Sequence, residues 1–516
     1  MTSAFNFGFT ASARKIDHSR SSLGVTSPRR ISVARSVAST PRKSPSPGTP
    51  EEPPKLAQPE SAVPTITLAL VVRKSRRFTP GLLRRRVLPG RSLVARRRAN
   101  QNRSRGSGHR RSRSCVPFSR GARRGMEREA ELDWIRRFLA HLEAGTTDLA
   151  PSELRLSSSL YTSAEHCARE RDFVFRRRPV VACFSCELRD VGDFFTLSIG
   201  GVPVVVVREA ADRVGAFVNL CRHRGGPVAE GRGRVEGGHF RCPFHSWAYS
   251  TSGELVAIPE GEAGFDSIER AEWGLRRLAC AEEAGVVLVR IEGEDPIDAV
   301  EALCGVGPDL RAIDLPNYHH FETRETEWEC NWKLLLATFL ESYHVFSLHR
   351  ESVHPWYFSH PMVYDAWRGN VRFPVARRTL VDLATLPEAE WRLADHATIQ
   401  WFIAPNALIS YTRNYLLLWR FYSPVPNRSE VVTSLYCAES VEATGTRKRL
   451  ANAFDGQMRI AGAEDFVLQE TIQRGLDSGA LPEVVFGRNE VVAQAFQRSL
   501  TDAVPGRREG EGGNCT

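Results

Sequence analysis

The chain has 516 residues, enough for two domains with real cores, and a formal net charge of +10. That charge is uneven: residues 1–125 hold 28 Lys+Arg against 4 Asp+Glu, whereas the remainder holds 42 basic and 56 acidic residues. A mildly acidic body argues against nucleic acid as its partner. The one apolar run of the front end, Ile66–Val72, is too short to span a membrane.

Residues 1–125 are rich in Ser, Pro and Arg, with runs such as Arg84-Arg85-Arg86 and Arg96-Arg97-Arg98. They cannot bury enough apolar surface to offset their ordering entropy, so a disordered basic extension is expected. It reads as a nucleic-acid-binding tail, as an organellar transit peptide, or as sequence upstream of a true start at Met126. The abrupt change of composition at Met126, just before an amphipathic helix, favours the third. Residues 126–175 are expected to be helical, with Leu132, Ile135, Phe138, Leu139 and Leu142 on one stripe of Glu127–Ala144 and a second helix over Ala164–Phe175.

From Val180 the period shortens. Pro179–Cys183, Phe194–Ile199, Pro203–Arg208 and Gly285–Ile291 read as strands divided by Gly turns, so residues 176–290 form a small all-β domain. Within it, Cys221-x-His223 and Cys242-x-x-His245 are separated by eighteen residues. One thiolate and one imidazole per loop suits a [2Fe–2S] cluster of the Rieske type, with both Cys on one iron and both His on the other. A structural zinc site would more often pair Cys-x-x-Cys with His-x-x-x-His. The remaining cysteines, Cys183-x-x-Cys186 included, read as buried thiols of a reducing compartment, which places the protein in the cytoplasm.

The run FFTLSIGGVPVVVVREAADRVGAFVNLCRHRGG, continued by RCPFHSWAYSTSGELVAIPE, resembles the Rieske domain of the Rieske non-haem iron oxygenases. Ser246 stands where that family usually has Gly, which touches turn geometry and not ligation.

Residues 291–502 are expected to be a second domain, followed by a tail over 503–516. After Asn331-Trp332-Lys333 comes Glu341-Ser-Tyr-His344-Val-Phe-Ser-Leu-His349. Glu341 and His344 would share a face if the segment is helical. His344 and His349 would be about 140° apart on an ideal helix, so both reach one metal only where the helix widens or breaks. Two His and a carboxylate on one face of iron leave positions open for dioxygen. Asp465, at the start of a C-terminal helix, is the expected third ligand, with Glu464 as its rival; helix-dipole charge would explain acids there without a metal. Thr398–Phe402, Ala407–Arg413, Tyr415–Tyr422 and Glu430–Cys437 read as strands.

This region, with Phe402-Ile-Ala-Pro405-Asn406 and GAEDFVLQETIQRGLDSG, also resembles the oxygenase large subunit. The resemblance implies an α+β protein, the Rieske domain joined to a helix-grip catalytic domain in which an antiparallel sheet wraps a long helix. It implies Fe(II) at His344, His349 and Asp465, a cluster at Cys221, His223, Cys242 and His245, and electrons from NAD(P)H through a flavin/iron–sulfur reductase. It also implies a head-to-tail homotrimer in which Glu341 is the catalytic bridge between the cluster of one chain and the iron of the next. Glu341 replaces the Asp usual in ring-dihydroxylating members and is similar to members acting on choline, carnitine and betaine. Trp356, Tyr357, Phe358 and Trp367 are candidates for a cation cage. The expected activity is hydroxylation or N-dealkylation of a small organic substrate with O2. The alternatives are dihydroxylation of an aromatic ring, a non-catalytic electron carrier, or a ligand-binding module.

Overall fold

The computed structural model describes residues 126–504; the expectations for residues 1–125 and for the end of the tail lie outside them. Helix α1 spans Arg128–Ala144 and buries Trp134, Ile135 and Phe138. Gly145, at φ +64°, ends it and donates its N–H to His141 O. Helix α2, Ala164–Glu170, is capped by Ser163, whose side chain accepts from His166 N at 3.2 Å. It continues into a π-helical turn over Arg171–Arg176.

Ten strands follow: β1 Val180–Phe184, β2 Asp193–Ile199, β3 Val202–Ala210, β4 Arg213–Val218, β5 Arg232–Arg234, β6 His239–Arg241, β7 Ala248–Ser250, β8 Leu255–Ala257, β9 Arg277–Glu283 and β10 Val286–Arg290. Seven pair antiparallel in the order β1-β10-β9-β4-β3-β2-β5, and β6-β7-β8 form a separate three-stranded sheet. The small sheet packs through Phe240, Trp247 and Tyr249 onto Val205, Val207 and Phe217.

The second sheet is built from β11 His319–Trp328, β12 Asp365–Trp367, β13 Asn370–Ala376, β14 Ala397–Ile403, β15 Ala407–Tyr411, β16 Leu416–Val425 and β17 Arg428–Cys437. Its order is β11-β17-β16-β15-β14-β13-β12, antiparallel throughout. Both faces are covered. One packs Leu417, Trp419, Phe421 and Val431 against Leu335 and Leu336 of α3, Trp332–Ala337, and against Leu450, Phe454 and Phe466. The other packs Ile399, Trp401, Leu416 and Leu418 against Trp134, Ile135 and Phe138 of α1. The last three residues of the first group belong to one helical rod: α4 Thr446–Ile460, a π-helical stretch Ala461–Phe466, and α5 Val467–Asp477. Helix α6, Val491–Ala503, closes the domain.

Two expectations are corrected. Glu341 does not share a helical face with His344, because α3 ends at Ala337 and the chain is irregular until a 3-10 turn at Tyr343–Phe346. Asp465 does not begin a helix; it lies well inside the rod, which starts at Thr446. Strands β11, β12 and β13 are additions to the expected set: β11 reads HHFETRETEW and is a half-exposed edge, while β13 alternates Val371, Phe373 and Val375. Among the described residues no helix is long and apolar enough to cross a membrane.

Under the second sheet, α2 and α3 are pinned together by a buried ion pair. Lys333 Nζ donates to Glu170 Oε1, Glu170 Oε2 accepts from Trp332 Nε1 at 3.0 Å, and His166 Nε2 lies 3.0 Å from Oε1. Both charged side chains are almost wholly out of solvent.

Candidate functional site

The first candidate centre sits on two loops. Cys221–Gly226 folds as a tight turn, with Cys221 N donating to Gly226 O at 2.7 Å and Gly225 N to Cys221 O at 2.9 Å; Gly225 has φ +75°. Cys242–Trp247 does the same, with Cys242 N donating to Trp247 O and Ser246 N to Cys242 O, both at 2.9 Å. The two turns face each other. Both thiols are buried, neither is in a disulfide, and the His223 and His245 ring centroids are 4.7 Å apart nearer the surface. A Cβ on Gly226 would lie 3.4 Å from Cys242 Sγ, so Gly keeps that space open.

This arrangement, thiols inward and imidazoles outward, fits a Rieske cluster, which these four residues could hold. Trp247 stacks on His223 at 5.0 Å and 8°, fixing one ring. Tyr249 Oη lies 3.3 Å from Cys221 Sγ and accepts from Arg222 N at 2.9 Å. Burial pushes the Cys221 thiol up, and the Tyr249 hydroxyl opposes that by hydrogen bonding to sulfur. Sequence reasoning missed Tyr249; its position seven residues after Cys242 on a strand gives no local signal.

Ser246 holds φ +58°, a region that disfavours side chains. Ser246→Gly should therefore stabilise the folded protein by about 1 kcal/mol without altering ligation. Thermal unfolding followed through cluster absorption checks this; an unchanged or lower midpoint counts against it.

The second candidate centre combines the irregular segment after α3 with the π-helical stretch. His344, His349 and Asp465 bring one ligand atom each to within 4.8 Å of one another. His349 Nε2 is 2.9 Å and His344 Nε2 3.6 Å from Asp465 Oδ1. That buried oxygen makes no well-aligned hydrogen bond, and an exposed pair of electrons on a buried carboxylate suits a metal. Each imidazole is oriented from behind. Glu341 Oε1 accepts from His344 Nδ1, while Glu341 Oε2 accepts from the backbone N–H groups of Tyr343 and His344. Glu464 Oε2 lies 2.8 Å from His349 Nδ1 and accepts from Ser352 Oγ at 2.6 Å. Both rings thus turn Nε2 toward Asp465, the carboxylate–histidine arrangement that metal sites use.

Glu464 is placed as a support of His349 and not as an alternative to Asp465. Burial lowers the His349 pKa, but Asp465 and Glu464 outweigh it and leave it raised. Burial likewise pushes Glu490 up, with Glu341 adding to the effect and His344 opposing it, which sets a further carboxylate within electrostatic reach.

The proposed cation cage is not assembled. Trp367 lies under Arg372 at 4.9 Å, Phe358 under Arg378 at 5.3 Å, Tyr357 beside Arg377 at 5.7 Å, and Trp356 is 58% exposed. Elsewhere in the core, Phe339 lies 4.8 Å from Trp419 and 5.9 Å from Phe466, the residue that follows Asp465.

Residues 178–273 match the Rieske [2Fe–2S] domain family, and residues 315–506 match the ring hydroxylating alpha subunit (catalytic domain) family. Chloroplastic choline monooxygenase of Amaranthus tricolor is 24% identical over 332 residues, which are 63% of this chain and 71% of that protein. The large subunit of anthranilate 1,2-dioxygenase from Acinetobacter baylyi is 29% identical over 217 residues, 40% of this chain and 45% of that one. A crystal structure of the quaternary ammonium Rieske monooxygenase CntA shares the fold, with a TM-score of 0.60 at 19% identity over 69% of this chain and 96% of that one. Two matched domains in this order make the chain a member of the Rieske non-haem iron oxygenases, a large (alpha) subunit.

Proposed function

We propose that this oxygenase hydroxylates or N-dealkylates a small quaternary amine, with Cys221, His223, Cys242 and His245 holding the cluster and His344, His349 and Asp465 holding Fe(II). When bound, the cluster supplies electrons and the mononuclear iron activates O2. The observation that carries the substrate class is charge: three carboxylates, Glu341, Glu464 and Asp465, lie against two imidazoles, more negative charge than one divalent iron offsets. A permanent cation is attracted to such a site, whereas a carboxylate-bearing or neutral ring gains nothing from it. Choline monooxygenase and CntA among the relatives support the same reading. The aromatic-dihydroxylation reading rests on the anthranilate dioxygenase likeness.

The chain's own groups do the positioning. Glu341 and Glu464 hold the Nδ1 protons of the two imidazoles. Electrons come from NAD(P)H through a separate reductase. The working particle is a head-to-tail homotrimer in the cytoplasm: exposed Phe244 and His245 at the cluster tip suit a partner surface such as exposed Tyr343 and Phe346 beside Glu341. A solution mass of one chain in the active enzyme sinks that assembly.

The substrate test needs no reductase. Iron-loaded enzyme, reduced chemically at the cluster, is mixed with O2 and with choline, carnitine, glycine betaine, benzoate or anthranilate in separate runs. Product is expected from at least one quaternary amine at a yield well above that from either aromatic acid. Product from the aromatic acids alone overturns the amine reading.

A further inference from the structure

Away from the iron ligands, one cavity is lined by more positive charge than its surroundings neutralise. It measures about 390 Å3 and lies between the β12–β13 hairpin and the last turns of α6. That volume suits a small organic ligand. Three guanidinium groups line it, from Arg178, Arg368 and Arg498. Arg368 is committed to an ion pair with Glu301. Neither of the other two forms an ion pair among the described residues. The hydrogen bonds they do make are long: Arg178 Nη1 donates to Ser499 O at 3.5 Å and Arg498 Nη2 to Gln494 Oε1 at 3.3 Å. A guanidinium carries five N–H donors, so most of theirs have no protein acceptor.

Arg498 is exposed and its spare donors face solvent, whereas guanidinium groups drawn into the fold are matched within it. Arg208 is bidentate to Glu282, Arg372 bonds Asp309 and Asp365, and Arg420 bonds Ala182 O and Ser434 Oγ. Arg178 is partly buried, and burial outweighs the attraction of Asp502, the one acid on the cavity wall, leaving its pKa below the ordinary value. An unmatched cation held this way gains most from an incoming anion. Arg368 and Gly369 form a two-residue hairpin turn with φ +42° and +96°, a conformation usually given to Asn, Asp or Gly at its first position.

We propose that this cavity binds a small polyvalent anion, whose carboxylate or phosphate oxygens bridge Arg178 and Arg498. Two acidic groups, or one phosphate with several oxygens, satisfy both planar donors at once.

Inorganic phosphate and citrate are the probes, titrated separately by calorimetry into the iron-loaded full chain, with ionic strength fixed by NaCl. At least one should bind saturably at one per chain, and the tighter of the two tells phosphate from carboxylate. The Arg178→Gln/Arg498→Gln double variant should weaken that binding at least tenfold, and Arg368→Gln, whose charge is already paired, should change it less than twofold. Cluster absorption shows whether the variants fold. If the double variant does not, single Arg178→Lys and Arg498→Lys variants, which keep charge and lose the planar donor pair, should each weaken binding at least threefold. Saturable binding of neither probe, or undiminished binding in the variants, overturns the site.

Discussion

Asp465→Ala should strip the mononuclear iron and abolish turnover while leaving the cluster absorption intact. Asp465 contributes the one oxygen that both Nε2 atoms approach, and it is buried without an aligned hydrogen bond. Removing it leaves two imidazoles, too few to hold Fe(II) against water. Glu464→Ala should be graded: losing the group behind His349 Nδ1 weakens metal affinity by about 10–100-fold, the usual effect of an outer partner. Glu341→Gln should keep the iron, since the amide oxygen still accepts from His344 Nδ1, yet lose most substrate-coupled oxygen uptake if Glu341 links neighbouring copies. Iron analysis beside oxygen uptake reads all three. Full iron content in Asp465→Ala would remove it from the ligand set.

The largest effect on stability is expected at Glu170. Glu170→Ala leaves the Lys333 ammonium buried and unpaired, which costs about 3–5 kcal/mol. The pair joins α2 to α3, the helix that leads to Glu341, so iron retention should fall with it. Burial raises the Glu170 pKa, but Lys333 and His166 outweigh it and hold the carboxyl below its ordinary value of 4.5. Its stabilising contribution is therefore complete above about pH 4.5 and lost as pH falls through the depressed value. Thermal unfolding of wild type and variant at pH 7 and in mild acid measures both. A Glu170→Ala midpoint within a degree of wild type would show that the pair is replaceable.

The cluster loops were legible because Cys and His at fixed spacing leave few alternatives, and the turn glycines agree with the geometry found. The apolar strands β14 to β17 were legible by composition. Strand β11 was not, since its residues belong to an edge and carry no buried face. Glu341 was found by spacing from His344, but its setting was not, because helix α3 stops four residues earlier and the carboxylate caps the next turn instead. Trp356, Tyr357, Phe358 and Trp367 are near the motif in sequence, but three of them face arginines and Trp356 faces solvent, which sequence spacing does not reveal. The division of work between Glu464 and Asp465 was likewise hidden, because adjacent residues on a helix point about 100° apart and sequence does not say which way either faces.

The widened stretch Ala461–Phe466 sits between two ordinary helices that pack by their own faces, Leu450 and Phe454 on one side and Gln473 and Leu476 on the other. Such a stretch holds more residues per turn than the α pitch requires. Viewed as heritable information, the acid at the centre of the domain is aimed by chain length and not by composition. One residue gained or lost within this stretch would turn Asp465 by about 100° relative to Leu450 and Phe454.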